Sequence, residues 1–267
     1  MVARPLFLSL LVILLSSCAS KDVLEGKGFP SIVIKNTTIL SLQSEELKNV
    51  KEPVRKPVVA VYPNSFSDHT GQRKSNGQFA LFSTAITQAP EAFLIRALKH
   101  SGDGKFWRVV ERVGLDSLTK ERQIIRSTRV DFEDQSEVKP LLFAGLLLQG
   151  GVLSYDQNVL SGGAGARYLG IGSSKEYRED LITISLRLVS VSTGEILIET
   201  STSKSLLSVG LSQDIFRFID GQRLIEVEGG TAQNESTSIV LQSAIEMAVL
   251  EIIKIGVTKG YWEFKDE

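Results

Sequence analysis

Between Val159 and Gly172 the chain reads VLSGGAGARYLGIG, a stretch poorly suited to the core of a soluble protein. It carries β-branched and aromatic residues that strands favour, yet glycine or alanine fills about half of its positions, and glycine inside a strand weakens it. Something other than intrinsic strand preference must hold such a segment. In a membrane barrel wall every backbone N–H and C=O pairs with a neighbouring strand, and the closed ladder tolerates small residues. A Gly-rich surface loop is the alternative, and the stretch alone does not separate the two.

The 267 residues, 42% hydrophobic, suffice for one core of moderate size with appendages. With 30 basic and 31 acidic residues, net charge -1, the chain lacks the basic balance of a nucleic-acid binder, and no nucleic-acid partner is expected. One cysteine and two histidines exclude a disulfide framework or a Cys/His zinc site within one copy, so no metal or cofactor is expected. After the N-terminus there is no apolar run of about 18 residues, so any membrane crossing must be made by strands.

Residues 1–17 have the layout of a secretory signal, with Arg4, an apolar segment from Leu6 to Leu15, and small residues before Cys18. Leu15-Ser16-Ser17-Cys18 resembles a bacterial lipobox, which implies that Cys18 carries an N-terminal lipid and begins the mature chain. Ala19 stands where an Asp would mark inner-membrane retention, so the resemblance points to the outer membrane. Each buried CH₂ of an acyl chain contributes ~0.8 kcal/mol, and several chains anchor firmly. Residues 18–57 then form a polar arm with prolines at 53 and 57, a tether or an arm lying on another surface such as a neighbouring subunit.

Residues 58–157 read as a periplasmic α/β domain. Val58 to Tyr62 suits a buried strand, a polar loop follows, and Pro90 opens a helix with an apolar stripe of Phe93, Leu94, Ala97 and Leu98. Trp107 to Val110 is a second strand. Leu115, Leu118, Arg122 and Ile125 keep a helical period behind a possible Asp116 cap, and Pro140 to Val152 is a third strand. A last helix within 234–267, from about Ser236 to Lys259, presents a broad apolar face with Gln242, Glu246, Glu251 and Lys254 away from it. It completes the same core, so what precedes it must leave and return.

Two segments do so. Hairpin one covers 158–181, strands at 182–207 follow with a turn at Ser192 to Glu195, and hairpin two covers 208–233 with the strong turn signal Asp220-Gly221 at its tip. Each arm approximates the ~9–11 residues a tilted strand needs to cross a bilayer. Ile225 and Val227 alternate with Glu226 and Glu228, and Val209, Leu211 and Ile215 with Gly210, Ser212 and Asp214. Acidic Asp214, Glu226 and Glu228 toward a wet lumen with apolar residues toward lipid fits a barrel; a sheet half buried on protein alternates the same way. Four strands cannot close a barrel with a lumen and open edges cannot face lipid, so several copies must join edge to edge.

Ser161-Gly162-Gly163, Gly165-Ala166-Arg167-Tyr168, Gly170-Ile171-Gly172, Val191 to Leu197, and Phe216-Arg217-Phe218-Ile219-Asp220 together resemble the curli production assembly/transport component family, the CsgG outer-membrane secretion channels. Weaker matches at Thr70 to Gln72, Phe82 to Ala85, Glu121 to Arg126 and Ser243 to Glu246 extend the likeness over nearly everything from Val58 to Trp262. The resemblance implies an α+β fold whose two hairpins contribute to a shared transmembrane β-barrel. It implies a ring homo-oligomer of about nine subunits, hence a barrel of about 36 strands. It also implies a secreted amyloid subunit as cargo, with a periplasmic cap and a surface nucleation protein as accessory partners. A constriction loop falls at about 73–82. Phe82 matches the family's phenylalanine, Leu81 stands at its asparagine, and Phe79 is the nearest aromatic to its tyrosine.

The function these readings converge on is ungated export of unfolded curli-like subunits, driven by confinement entropy rather than nucleotide, since no Walker A motif is present. The rival is a periplasmic lipoprotein adaptor for polysaccharide or holdfast export with no barrel of its own. An enzyme using Asp214, Asp220, Glu226 and Glu228 ranks last, because strand alternation already accounts for those carboxylates.

Overall fold

The computed structural model describes residues 39–71, 86–132, 136–168, 171–219, 223–234 and 236–265. The chain divides into Met1–Ser41 and Leu42–Glu267, and the second of these units carries the architecture.

Three short strands run parallel beside the start of a long one. β1 (Val58–Ala60) lies between β3 (Arg108–Val110) and β4 (Leu146–Tyr168), with Val59 paired to both Val109 and Leu146, and β2 (Phe66–Asp68) pairs with Gly150 to Val152. Parallel neighbours need crossovers, and helices supply them. α1 (Glu45–Lys48) precedes β1, α2 (Glu91–His100) joins β2 to β3, and α3 (Leu115–Asp131) joins β3 to β4. The expected stripe of α2 is buried at Leu94, Ala97 and Leu98. Its end is fixed by a left-handed turn, Gly102 at φ +58, where a Cβ would sit 2.7 Å from the Val50 carbonyl. On α3, Leu115, Leu118, Arg122, Ile125 and Arg129 are half-buried beneath the returning chain, with Arg122 donating to the Lys139 carbonyl and Arg129 to that of Ser136. Asp116 lies in the first turn rather than at the cap, which is Gly114 and makes no side-chain cap bond. The third strand starts at Leu146 instead of Pro140: the carbonyls of Ser136 and Lys139 accept from Arg129 and Arg122 of α3, and that of Leu142 from Arg112, rather than pairing in the sheet.

From Leu146 onward the sheet is an antiparallel meander of β4, β5 (Ile171–Ser190), β6 (Ile196–Ile219) and β7 (Arg223–Asn234), giving the order β3-β1-β4-β5-β6-β7. α4 (Thr237–Thr258) lies across one face of β5 and β6. Ile182, Ile184, Leu186, Leu188, Ile198 and Leu206 are buried with Leu241, Ile245, Val249 and Ile252 of the helix. Each such side chain contributes roughly 1.5–3 kcal/mol by leaving water. The other face is polar, with Ser185 donating to Glu199 and Thr183 bonded to Ser203.

Two polar residues of α4 depart from the expectation that they face away from the core. Gln242 and Glu246 are buried, and the Glu246 carboxylate accepts from the backbone N–H groups of Gln43 and Ser44 and from Gln242 Nε2. Burying a charge is expensive unless it is hydrogen-bonded, and three donors meet that condition. The partner is the segment read as a tether or as an arm lying on another surface such as a neighbouring subunit: from Leu42 on it packs on the chain's own α4, burying Leu42 and Leu47, with Lys254 paired to Glu46. Further on, Pro53 bridges to Phe264, and Lys265 and Lys56 both approach Glu52, holding its carboxyl below the usual range.

Candidate functional site

The hairpins expected at 158–181 and 208–233 are the outer halves of β4, β5 and β6, which extend from the core sheet, together with β7, which lies wholly in the second hairpin. β4 and β5 pair without leaving the sheet from Leu146↔Ser190 to Tyr168↔Ile171, with irregularities between Val152 and Ser154 and between Asp156 and Leu160. Beyond the second one, Leu160 to Tyr168 faces Glu179 to Ile171 in nine register pairs, and β6 and β7 make twelve from Ser208↔Asn234 to Ile219↔Arg223. These lengths match a tilted bilayer crossing. No described helix is long and apolar enough to cross a membrane, which leaves crossing by strands open.

Cover by α4 ends where the wall begins, and a buried polar cluster marks the change. Asp180, fully buried, accepts from the Tyr155 hydroxyl at 2.9 Å and from Arg178 Nη2 at 3.1 Å. Burial first, and then the bond to Asp180, push the Tyr155 hydroxyl up to about 12. A half-satisfied carboxylate here would weaken the joint between the two parts of the sheet.

Register resolves the facing of the Gly-rich strand. Residues directly paired share a face, and alternate pairs form rows across the wall. One set of rows reads Ser161–Arg178–Ser208, Gly163–Glu176–Gly210, Gly165–Ser174–Ser212 and Arg167–Gly172–Asp214. The intervening set holds Leu160, Tyr168, Ile171, Tyr177, Leu207, Val209 and Leu211. Within these rows large apolar residues fall on one face and small or polar ones on the other, with Lys175 and Glu179 the charged exceptions on the apolar face. Toward the end of β6 and the start of β7 the pattern breaks, with Arg217 and Arg223 at register positions of the apolar face and Phe216, Phe218 and Leu224 at those of the polar face. Lys175 has a long stem that lets its ammonium reach toward an interface. Gly162 has a local reason: a Cβ there would lie 2.6 Å from the hydroxyl of Tyr177, its cross-strand partner, whose ring covers it.

Of the residues singled out in the sequence, Asp214 lies in β6 paired to Glu228 of β7, and Glu226 pairs with Phe216; by alternation all three take register positions on the face of the Ser161, Gly163 and Gly165 rows, with Phe216 a large apolar exception there. β6 ends at Ile219 and β7 starts at Arg223; the tip residues Asp220 and Gly221 lie outside the described residues, as do Cys18 and the loop residues Phe79, Leu81 and Phe82. Tyr155, Glu176, Arg178 and Asp180 escaped the sequence reading. The signal was the run Lys175 to Asp180, with charges at five of six strand positions. Among the described residues no group of His, Cys, Asp and Glu is arranged to hold a metal.

Above Val152 β4 pairs only with β5, and β7 pairs only with β6, so both flanks of the wall are open edges among the described residues. Four strands alternate in direction, so β7 of one copy and β4 of the next run antiparallel. Fold and wall together define an α+β sheet protein whose outer strands carry one apolar and one polar face and, among the described residues, two open edges.

The model of the family "Curli production assembly/transport component CsgG" matches residues 41–267. Proteins of that name are similar to this chain: that of Escherichia coli K12 is 38% identical over 267 residues, 98% of this chain and 92% of the relative, and that of Salmonella typhimurium LT2 is 38% identical over 261 residues, 96% and 90% respectively. The chain belongs to the CsgG family. A PelC dodecamer structure from Paraburkholderia phytofirmans aligns over 76% of this chain and 91% of its own at 13% identity and a TM-score of 0.29, too slight a likeness to bear on function.

Proposed function

We propose that this chain is one subunit of an outer-membrane secretion channel that exports unfolded curli-like amyloid subunits. Lipidated at Cys18, it contributes four strands to a barrel shared by about nine copies. The observation that carries the reading is the two-faced wall with open antiparallel edges on a chain of this family. Unpaired strand edges are intolerable in lipid, and only ring closure removes them. Polar rows line the lumen, where Asp214, Glu226 and Glu228 keep neutral or acidic polypeptide from adhering. The loop at about 73–82, with Phe79, Leu81 and Phe82, narrows the passage. No nucleotide is used and no bond is made or broken: confinement of the cargo under a periplasmic cap protein costs it entropy that it regains outside, where a surface nucleation protein receives it.

Detergent-purified protein viewed by electron microscopy and inserted in a planar bilayer tests this. Closed rings with stepwise conductance are expected. Monomers without conductance would overturn the channel and favour a periplasmic adaptor for polysaccharide or holdfast export.

A further inference from the structure

We propose that Glu176 forms an acidic belt around the polar face of the wall, making the channel cation-selective and favouring basic over acidic stretches of a passing polypeptide. The belt rests on the channel reading. Glu176 stands in the row Gly163–Glu176–Gly210–Ala232, where no neighbour is larger than a methyl group. The rows on either side carry the hydroxyls of Ser161 and Ser208 and of Ser174 and Ser212, the last two bonded to each other at 2.6 Å. A groove of ≈ 550 Å³ opens here, bounded by Ser161, Gly163, Glu176, Arg178, Ser208 and Gly210. The carboxylate is exposed above a floor of small residues.

Its charge is not cancelled locally. The nearest cation on the same face of β5 is Arg178, two residues on, and its guanidinium is paired at 3.1 Å with Asp180, which is fully buried. Arg178 and Asp180 sum to zero, and Glu176 makes no ion pair among the described residues. Each copy therefore contributes one uncompensated negative charge at the height of the Gly163–Glu176–Gly210 row, two rows nearer the core than Asp214 and Glu228, and a ring of copies makes a ring of carboxylates there, the device by which cation pores select. A barrel of many strands is several Debye lengths across, about 10 Å each at 0.1 M salt, so the belt acts in a layer along the wall and fades as salt rises.

The test is the reversal potential of purified rings in a planar bilayer under a KCl gradient, for wild type, Glu176→Gln and Glu176→Lys. At ~0.1 M salt or below, Glu176→Gln is expected to lower the K⁺/Cl⁻ permeability ratio about twofold or more and Glu176→Lys to shift it further toward anions; near 1 M salt the three converge. Conducting rings whose low-salt reversal potential is the same in wild type and both variants would overturn the belt while sparing the channel. Wild-type protein that conducts nothing would overturn the channel reading, and the belt with it.

Discussion

β4, β5 and β6 each pass through two environments, and their inner and outer halves solve the same problem differently. In the inner half, Ile182, Ile184, Leu186 and Leu188 pack on α4 and their alternates are hydroxyls and charges turned to water. In the outer half, no helix among the described residues covers either face; large side chains thin out to a few on one side and glycine and serine take the other. Inside, packing selects the register, since a one-residue slip would exchange Leu186 for Ser185 against the helix. Outside, the register is inherited from the inner half, and that permits a wall of residues too small to specify it. The strands need their anchored half to define the free one.

The largest test of this division is truncation of matched leucines. Leu186→Ala removes a fully buried side chain at the α4 face and is expected to cost about 2–5 kcal/mol. Leu211→Ala removes one that is 49% exposed in the single chain, with an expected cost within about 1 kcal/mol. Urea midpoints followed by fluorescence of Trp107 and Trp262, both in the core, read the difference. Equal losses would mean that the outer half is packed in the monomer and the comparison is void.

A smaller effect is expected at the joint. Tyr155→Phe withdraws one donor from buried Asp180 and leaves the Arg178 bond in place, a change of about 1–3 kcal/mol. It also has a pH signature. The folded chain holds the Tyr155 proton more tightly than the unfolded one, pushed up to about 12 from the ordinary value of about 10. Stability from this group is complete below about pH 10 and is lost as pH rises through about 12. Alkaline titration of the urea midpoint should therefore fall less steeply in Tyr155→Phe than in the parent between those values, and parallel curves would remove Tyr155 from the joint.

How far the sequence carried differs between the halves for the same reason. α4, α2 and the alternation of Leu181 to Val191 were visible because packing on a core imposes a period that apolar residues record. The continuation of β5 through 181 into Leu181 to Val191 was legible from that alternation, but the continuity of β4 through 158 left no trace, since a period of two is unchanged when the surroundings change. The facing of the Gly-rich strand was hidden by glycine and alanine and emerged only from pairing with β5, where Tyr177 and Glu176 mark opposite faces. Glu246 was misread because its partners, the backbone N–H groups of Gln43 and Ser44, lie some two hundred residues away. Asp180 and Tyr155 met across a hairpin whose register the sequence did not specify.

The smallest expected effect is the most specific to the wall. At Gly256 in α4 a Cβ would fall 1.9 Å from Trp262 Cζ2, in the closed packing of the core, whereas at Gly210 the nearest atom is the Glu176 carbonyl at 4.0 Å. Gly210→Ala should therefore change stability by no more than about 0.5 kcal/mol, with a gain as plausible as a loss because alanine restricts the unfolded chain more than glycine does. Thermal melting of the monomer measures that, and ring formation measured beside it asks a second question. Gly210 lies in β6, flanked by β5 and β7 of its own chain rather than by an open edge, so closing the proposed ring would bring no neighbouring backbone against it. A Gly210→Ala protein that melts like the parent yet fails to form rings would show that the polar face is itself a contact surface, and that the open wall of the single chain is filled in the assembly.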